Sequence, residues 1–324
     1  MSTPLASASA KSDAPATRVA VCVVTRRRPE GLRRALRSLE EISVKNPGVE
    51  VRIVVVENEI AGEAKRVLEG RAGGRFPVEY AVEPTHGIPF ARNRAVEVAG
   101  DFDFIAFLDD DEWAEPQWLE ELLDAQAKSG AQVVFGPVLP EFEAHPPKWL
   151  VRSRYFDPLS FEALQEVGFA YTSNVLVSRA AFDSDRPFPE KFAVIGGSDT
   201  HFFMRVWLGG ARIVWAPAAR VHETIPRQRM RLGWIARREY RRGTTLSLCL
   251  LDLEPFRHRK VKRVVHGVGR IALGAVLALA SAVRGRGLFA RATSQAAFGA
   301  GLLVGLTGRG YPEYRDKGGS EPPR

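Results

Sequence analysis

Three consecutive carboxylates, Asp109, Asp110 and Asp111, follow the short apolar run FIAFL at residues 104–108. Adjacent negative charges repel one another, so a folded chain keeps them together only where something offsets their charge. Mg²⁺ or Mn²⁺ does so when one or two carboxylates and a bound diphosphate supply its oxygen ligands. The end of a strand is also where α/β sheets bind ligands. The alternative is a solvated acidic turn that caps the next helix.

The segments around this triplet alternate between strand and helix patterns. Continuous apolar, β-branched runs predict buried strands at residues 19–25, 49–56, 78–82, 104–108 and 133–138. Helices are predicted between them at residues 29–39, 62–70, 89–98 and 116–127. Strands that alternate with helices predict a mainly parallel sheet with right-handed crossovers.

The second half of the chain is less regular. Residues 140–154 are rich in proline and aromatic residues, and we expect them to form a loop over a site. The remaining predicted elements are a strand at 174–178, a helix at 198–208, a strand at 212–215 and a basic helix at 229–242.

Five motifs occur in a fixed order: TRRRPEGL at 25–32, VVEN at 55–58, GIPFARNR at 87–94, the aspartate triplet, and GGSDTHFF at 196–203. In this order and spacing the chain resembles the family 2 glycosyltransferases, which are inverting, nucleotide-sugar-dependent enzymes. The resemblance covers about residues 18–245. It implies a GT-A fold, an α/β architecture with a nucleotide-sugar-binding, mainly parallel mixed sheet flanked by helices.

The resemblance also implies which residues bind the donor. Thr25 and Glu57 end predicted strands where the nucleotide would lie, although the family usually has an aspartate near Glu57 that accepts a hydrogen bond from the base. Arg92 and Arg229 are expected to reach the diphosphate, Arg92 with help from a helix N-terminus. The alternatives are a plain surface carboxylate for Glu57 and a salt bridge to the acidic triplet for Arg92.

The aspartate triplet matches the Asp-x-Asp motif of this family. By resemblance, Asp111 and Asp109 would bind Mg²⁺ or Mn²⁺, and Asp109 or Asp110 would contact the ribose. The division of these roles among the three aspartates stays open at this point. A histidine in the position of His222 supplies a further metal ligand in some relatives, and its alternative is a structural role. Such a metal offsets charge on the departing nucleoside diphosphate.

Inversion requires a carboxylate that deprotonates the acceptor hydroxyl, and Asp199 is the candidate base. It stands at a predicted helix start behind two glycines. The family commonly has Glu-Asp here, whereas this chain has Ser198-Asp199. The alternative is a charge that complements the helix dipole. The aromatic side chains that could stack on an acceptor sugar, or lie in the core, are Trp149, Phe156, Tyr171 and Trp207.

Composition and charge divide the 324 residues further. A disordered leader is predicted at 1–17 and a polar tail at 311–324. The net charge of +8 concentrates between residues 227 and 263, which indicates an anionic partner such as a membrane surface. Residues 246–310 then predict two apolar helices that form a membrane-associating hairpin, or alternatively a soluble hairpin or an oligomer contact. Two cysteines fit a reducing cytoplasm.

These features predict a metal-dependent hexosyltransferase at the cytoplasmic face of the cell membrane. It would transfer one sugar from a nucleotide-sugar to a glycan or polyprenyl-linked acceptor in cell-surface or exopolysaccharide biosynthesis. The Gln-x-x-Arg-Trp signature of processive synthases is missing, which favours single transfer. A nucleotidyltransferase is disfavoured, because it would need a glycine-rich loop after the first strand and this chain has none there. A non-catalytic nucleotide-binding scaffold is the alternative, but it would need no base such as Asp199. A nucleic-acid-binding protein is disfavoured, because no nucleic-acid module is visible.

Overall fold

The structure is a computed structural model that describes residues 17–312, apart from residues 72, 185 and 255. Its strands are β1 (Thr17–Thr25), β2 (Val49–Glu57), β3 (Val78–Val82), β4 (Phe104–Asp109), β5 (Glu112–Ala114), β6 (Val133–Phe135), β7 (Val138–Phe142), β8 (Asn174–Ser178), β9 (Ile213–Trp215) and β10 (Val221–Ile225). Its helices are α1 (Pro29–Glu40), α2 (Glu63–Glu69), α3 (Ile88–Ala99), α4 (Trp118–Ser129), α5 (Lys148–Ser153), α6 (Ser198–Leu208), α7 (Leu232–Leu253), α8 (Arg257–Arg284) and α9 (Arg286–Gly305).

The main sheet has seven strands in the order β3-β2-β1-β4-β8-β6-β9. β8 runs antiparallel to its neighbours β4 and β6, and the other pairs are parallel. A second sheet of three strands has the order β5-β10-β7. The predicted mainly parallel, mixed sheet flanked by helices is therefore confirmed.

Both faces of β1 are buried, as its continuous apolar sequence predicts. Val19, Val21 and Val23 pack with the apolar sides of α1, α2 and α4. The alternate residues Ala20 and Cys22 pack on the other face, against α3 and α6. Because helices cover both faces, ligands can reach the sheet only at the ends of its strands.

The structure differs from the predicted elements in four places. The run at 133–138 divides into β6 and β7, which belong to different sheets. The predicted loop at 140–154 contains the end of β7 and the short helix α5. β5 follows the aspartate triplet directly, and α7 continues eleven residues past Arg242 to Leu253. α7 thus crosses the predicted domain boundary at residue 245.

The predicted C-terminal hairpin is present as α8 and α9, which join at Gly285. α9 packs between α7 and α8. Glycines allow this close approach, since a Cβ at Gly274 would lie 2.9 Å from the Ala292 carbonyl oxygen and one at Gly299 would lie 2.6 Å from the Gly267 carbonyl oxygen.

The opposite side of α8 carries an exposed apolar stripe. Its most exposed members are Val261, Val265, Val268, Val276, Leu279 and Val283. Among the described residues, α8 is the one helix long and apolar enough to cross a membrane. The predicted leader lies outside the described residues except for Thr17, which begins β1, and the predicted polar tail lies outside them from residue 313 onward.

Candidate active site

The aspartate triplet lies at the end of β4, beside the end of β1. The parallel register pairs Val24 with Asp109, which places Thr25 next to Asp110. The Thr25 hydroxyl donates a 2.8 Å hydrogen bond to Asp110 Oδ2. A Cβ at Gly31 would lie 2.4 Å from the Asp110 carbonyl oxygen, so glycine at this position lets α1 begin directly behind the triplet.

Three arginines surround these carboxylates. Arg28 Nη1 lies 2.8 Å from Asp110 Oδ1 and 2.9 Å from Asp111 Oδ2. Arg229 lies 3.5 Å from Asp111 and also pairs with Glu223 of β10. Arg92 is buried in α3, with Nη2 3.9 Å from Asp109 Oδ1. The guanidinium groups partly offset the acidic charge, and all three arginines line the same cleft as the triplet.

The acidic residues are crowded enough to shift their protonation. Desolvation raises the pKa of Asp109 to about 7, against the opposing charge of Arg92 and with added repulsion from Asp111, Asp110 and Asp199. Burial likewise raises the pKa of Asp110, although Arg28 opposes the shift. Asp109 nevertheless keeps 41% of its side chain exposed, within the cleft. A cation can therefore approach this carboxylate.

Glu112 completes the acidic floor of the cleft. It is buried, and its Oε2 accepts a 3.1 Å hydrogen bond from the Asp109 amide. Burial, together with Asp109, Asp111 and Glu223, raises the pKa of Glu112 well above its usual range. Neither Glu112 nor Glu223 is among the site residues predicted from the sequence, although the acidic run itself continues through Glu112.

Asp199 lies in the first turn of α6 and lines the same cleft as the triplet. Its Oδ1 accepts a 2.7 Å hydrogen bond from the Thr200 amide. Gly197 precedes it with φ of 96°, and a Cβ there would lie 1.9 Å from Thr245 Cγ2. Glycine is therefore required where the chain enters α6 beside α7.

Two predicted residues lie away from the cleft. Glu57 is buried, where its Oε1 accepts a hydrogen bond from the Ala64 amide and its Oε2 accepts one from the Tyr80 hydroxyl. It therefore caps α2, and the next residue, Asn58, lines the cleft instead. Asn58 Oδ1 accepts a hydrogen bond from the Gly87 amide, which fixes the loop before α3.

His222 also points away from the triplet. Its two ring nitrogens lie 3.1 Å from carboxylate oxygens of Glu115 and Glu141, and its ring stacks on Trp113. Side chains alternate along a strand, so Glu223 faces the cleft and His222 faces the other side of β10. The structure thus brings together Thr25, Arg92, Asp109, Asp110, Asp111, Asp199 and Arg229, and separates Glu57 and His222 from them.

The cleft has a volume of about 1720 Å³ and extends well beyond the triplet. Its far end is lined by Phe156 and Tyr171 and by Arg238 and Arg242 of α7. The other aromatic candidates for stacking do not line it: Trp149 packs beside Leu150 and Ile225, and Trp207 contacts Gly168. A single ligand usually occupies about 300–1,000 Å³, so this cleft has room for two.

A buried histidine joins α6 to the end of α7. His201 Nε2 lies 2.7 Å from Asp252 Oδ2, and Asp252 also pairs with Lys191. Burial lowers the pKa of His201 against the pull of Asp252. The Nδ1 atom is buried and has no hydrogen-bond partner within the described part of the chain. The neutral ring, with its proton on Nε2, is the form that this arrangement favours.

Comparison with known proteins supplies sequence relatives. The profile described as "Glycosyl transferase family 2" matches residues 20–185, and "Glycosyl transferase family group 2" matches residues 104–304. The chain is 34% identical over 290 residues to "Succinoglycan biosynthesis protein ExoM" of Rhizobium meliloti (strain 1021), covering 88% of this chain and 92% of that protein. It is 26% identical to "Glucosyl-dolichyl phosphate glucuronosyltransferase" of Haloferax volcanii, covering 69% and 74%.

Solved structures show a similar fold at low sequence identity. S. aureus TarS 1-349 in complex with UDP is 17% identical, with a TM-score of 0.51, over 90% of this chain and 92% of that chain. The same protein in complex with UDP-GlcNAc is 16% identical, also with a TM-score of 0.51 and the same coverage. These likenesses confirm the predicted GT-A-like fold.

Proposed function

Because the chain belongs to glycosyl transferase family 2, and is therefore a glycosyltransferase, we propose that it moves one sugar with inversion from a nucleotide-sugar to an acceptor hydroxyl. The observation that carries this proposal is the shared cleft. Asp109, Asp111 and Asp199 face it together, and its volume of about 1720 Å³ suits a donor and an acceptor side by side.

In the proposed reaction Asp199 takes the proton of the acceptor hydroxyl as its oxygen attacks the anomeric carbon. The bond between that carbon and the diphosphate oxygen breaks, and the nucleoside diphosphate leaves with the bonding electrons. Arg28, Arg92 and Arg229 lie beside the triplet, where they would stabilise the charge that develops on the leaving group. Asp199 lines the same cleft, close enough to Asp109 for its charge to add to the desolvation that raises the pKa of that carboxyl, and it would act as base there.

The residues at the triplet fit a divalent cation. Asp109 and Asp111 offer hard oxygen donors toward the cleft, and desolvation, with repulsion from the neighbouring carboxylates, raises the pKa of Asp109. Among the described residues, no group of three or more His, Cys, Asp or Glu side chains is arranged to hold a metal. This suits Mg²⁺ or Mn²⁺, which one or two carboxylates hold together with substrate phosphates. Such an ion would supply Lewis-acid assistance to the leaving diphosphate.

The relatives support the choice of donor and pathway. The similar TarS structures contain UDP and UDP-GlcNAc, which favours a uridine diphosphate sugar as the donor. The name of the Rhizobium relative refers to succinoglycan biosynthesis, and we propose a role in exopolysaccharide biosynthesis for this chain. The Haloferax relative is named for glucosyl-dolichyl phosphate, which favours a lipid-linked acceptor over a free glycan.

We further propose that the protein works at the cytoplasmic face of the cell membrane. The exposed apolar stripe of α8 would lie in the membrane interface. The basic segment at residues 257–263, which begins that helix, would face anionic lipid head groups. A membrane surface would therefore match both the hydrophobicity of this helix face and the positive charge beside it.

Release of nucleoside diphosphate from a panel of nucleotide-sugars, with Mn²⁺ or with EDTA, tests the reaction. We expect slow hydrolysis of one donor that EDTA abolishes and that falls at least about 100-fold in Asp111→Asn. Asp124→Asn, an exposed change in α4, is the matched control and should retain activity. Asp199→Asn should bind the donor normally but lose transfer to the acceptor. Metal-dependent nucleotide binding without any turnover, even with acceptor extract, would instead indicate the non-catalytic scaffold.

A further inference from the structure

A short segment that contains two glycines carries the candidate base into the cleft. Gly196 and Gly197 adopt φ of 75° and 96°, and α6 begins at the next residue, Ser198, which Asp199 follows. Two consecutive glycines with positive φ give the chain little local preference of its own, because glycine populates many backbone conformations. The direction in which Asp199 enters the cleft must therefore be fixed by contacts from outside this segment.

The Asp199 side chain does not supply these contacts itself. Its Oδ1 accepts hydrogen bonds from the amide and the hydroxyl of Thr200, at 2.7 and 3.5 Å. Within the part of the chain that the structure describes, the Asp199 carboxylate has no other hydrogen bond and no ion pair. Asp199 consequently lies wherever the first turn of α6 places it.

One face of α7 supplies the contacts. Thr245, Cys249 and Asp252 are spaced at i, i+4 and i+7, so they lie on the same side of that helix. A Cβ at Gly197 would lie 1.9 Å from Thr245 Cγ2, and the Cys249 thiol donates a 3.8 Å hydrogen bond to the Gly197 carbonyl oxygen. The entry to α6 therefore packs directly on the last turns of α7.

Asp252 is the contact that spans the segment. Its Oδ2 accepts a 2.7 Å hydrogen bond from His201 Nε2, and its Oδ1 pairs with the Lys191 ammonium group. Lys191 precedes the two glycines and His201 follows them, so one carboxylate holds both ends of the segment. His201 is only 4% exposed, and its ring lies 5.3 Å from the Phe192 ring, centroid to centroid. Burial shields the bond between His201 and Asp252 from water, which strengthens it.

We propose that Asp252 and His201 are positioning residues, which hold the first turn of α6 so that Asp199 is directed at the acceptor hydroxyl. Neither of the two side chains lines the cleft, so both act through the backbone that carries Asp199. Misplacement of a catalytic group by about 1 Å can cost about 100-fold in rate. The proposal rests on the proposed function and deepens it, because it names the residues that orient its base.

Hydrogen exchange of the full chain tests this bridge without any substrate. The amides of Gly196 and His201 report on the segment, because each donates a backbone hydrogen bond. In Asp252→Asn we expect the peptide over residues 193–201 to exchange at least about tenfold faster, while exchange in β1 stays unchanged. Unchanged exchange at residues 193–201 would overturn the proposal.

Asp183→Asn is the matched control, since Asp183 lies 2.8 Å from Arg205 in the last turn of α6. This change removes an ion pair from the same helix and should leave exchange at residues 193–201 like that of the wild type. His201→Phe keeps an aromatic ring but loses the N–H donor, so it should behave like Asp252→Asn. His201→Gln keeps a donor and should retain part of the protection. Equal acceleration in Asp183→Asn and Asp252→Asn would overturn the proposal.

Transfer of labelled sugar to the acceptor extract, at a saturating donor concentration, tests the effect on the base. Asp252→Asn should lower this rate about 10- to 100-fold. It should leave the affinity for UDP with Mn²⁺ unchanged, because the bridge lies outside the cleft. The same change should cost nothing further in the Asp199→Asn background, since a base that has been removed cannot be misplaced.

An unchanged transfer rate in Asp252→Asn would overturn the proposal. Equal relative losses in the wild-type and Asp199→Asn backgrounds would also overturn it, because Asp252 would then act independently of Asp199. Faster exchange in Asp252→Asn together with normal transfer in Asp199→Asn would count against the proposed base instead, and would leave the bridge between α6 and α7 standing.

Discussion

Arg28 offers the sharpest test of how the acidic cleft is held together. Its guanidinium bridges Asp110 and Asp111 at 2.8 and 2.9 Å. Only 8% of the Asp110 side chain is exposed, so this carboxylate depends on its partner rather than on water. Removal of one member of a fully buried ion pair costs about 3–5 kcal/mol. Because the Arg28 side chain is 32% exposed, solvent screens part of that cost, and we expect Arg28→Gln to destabilise the fold by about 2 kcal/mol.

Urea unfolding followed by tryptophan fluorescence measures this loss. The matched control is Arg94→Gln, since Arg94 pairs with Glu97 on the exposed face of α3 and should lose no more than about 0.5 kcal/mol. A double-mutant cycle with Asp110→Asn then isolates the pair. If Arg28 acts by neutralising Asp110, the loss in the Asp110→Asn background should shrink by about 1–2 kcal/mol.

Additive effects in that cycle, or equal losses at Arg28 and Arg94, would refute the electrostatic account. The affinity for UDP supplies a functional measure, because in the proposed function the same guanidinium would stabilise the diphosphate beside the triplet. We expect Arg28→Gln to weaken UDP binding by roughly tenfold or more in the presence of Mn²⁺.

Three further changes test other parts of the structure. Gly31→Ala should weaken UDP binding at least about tenfold, because its Cβ would press on the Asp110 carbonyl oxygen, whereas Gly269→Ala, with open space around it, should not. The free energy of unfolding of the wild type should fall by up to about 1.4 kcal/mol per pH unit as the pH drops below 6.5. The reason is that burial lowers the pKa of His201, so its imidazole takes up a proton more readily in the unfolded chain than in the folded one. Urea titrations at pH 7.5 and 5.5 measure this loss, which His201→Gln should reduce. Leu279→Gln should reduce co-sedimentation with phosphatidylglycerol vesicles about tenfold without shifting the urea midpoint, and unchanged sedimentation would argue against the α8 stripe as the membrane contact.

The first half of the fold could be predicted because its signals are local. β1, β2 and β4 are continuous apolar runs, and proline near the start of α1 and α3 marks their first turns. Each of these elements forms for reasons contained within about ten residues of sequence. The alternation of strand and helix predicts that β1, β2, β3 and β4 pair in parallel, which their register confirms.

The errors arise where distant contacts decide the local structure. The run at 133–138 reads as one strand, but β6 pairs with β8 and β9 whereas β7 pairs with β10. Gly136 marks the division, since a Cβ there would lie 2.1 Å from the carbonyl oxygen of Ala219, which is remote in sequence. α7 likewise continues through Gly243, a poor helix former, because that glycine packs directly on the backbone of α9.

The same limit applies to the candidate site, where the sequence predicts the types of residue but not the directions in which their side chains point. The spacing of the motifs located the ends of β1, β2 and β4, but not which of two neighbouring residues faces the cleft. Glu57 and His222 each stand next to a residue that does line the cleft, Asn58 and Glu223. A shift of one residue reverses the face of a strand, so a motif that resembles a family still leaves this choice to the pairing of strands.

α7 connects the chemistry of the cleft to the apolar hairpin. The segment before it carries Arg229, which contacts Asp111, and its middle turns place Arg238 and Arg242 in the cleft wall. The same turns lie so close to α9 that a Cβ at Gly301 would be 2.1 Å from the Tyr240 carbonyl oxygen. Helices in such contact cannot slide past each other without a backbone clash, so α7 and α9 move as one body. Any surface that fixes the orientation of the hairpin therefore also fixes the direction in which the cleft opens.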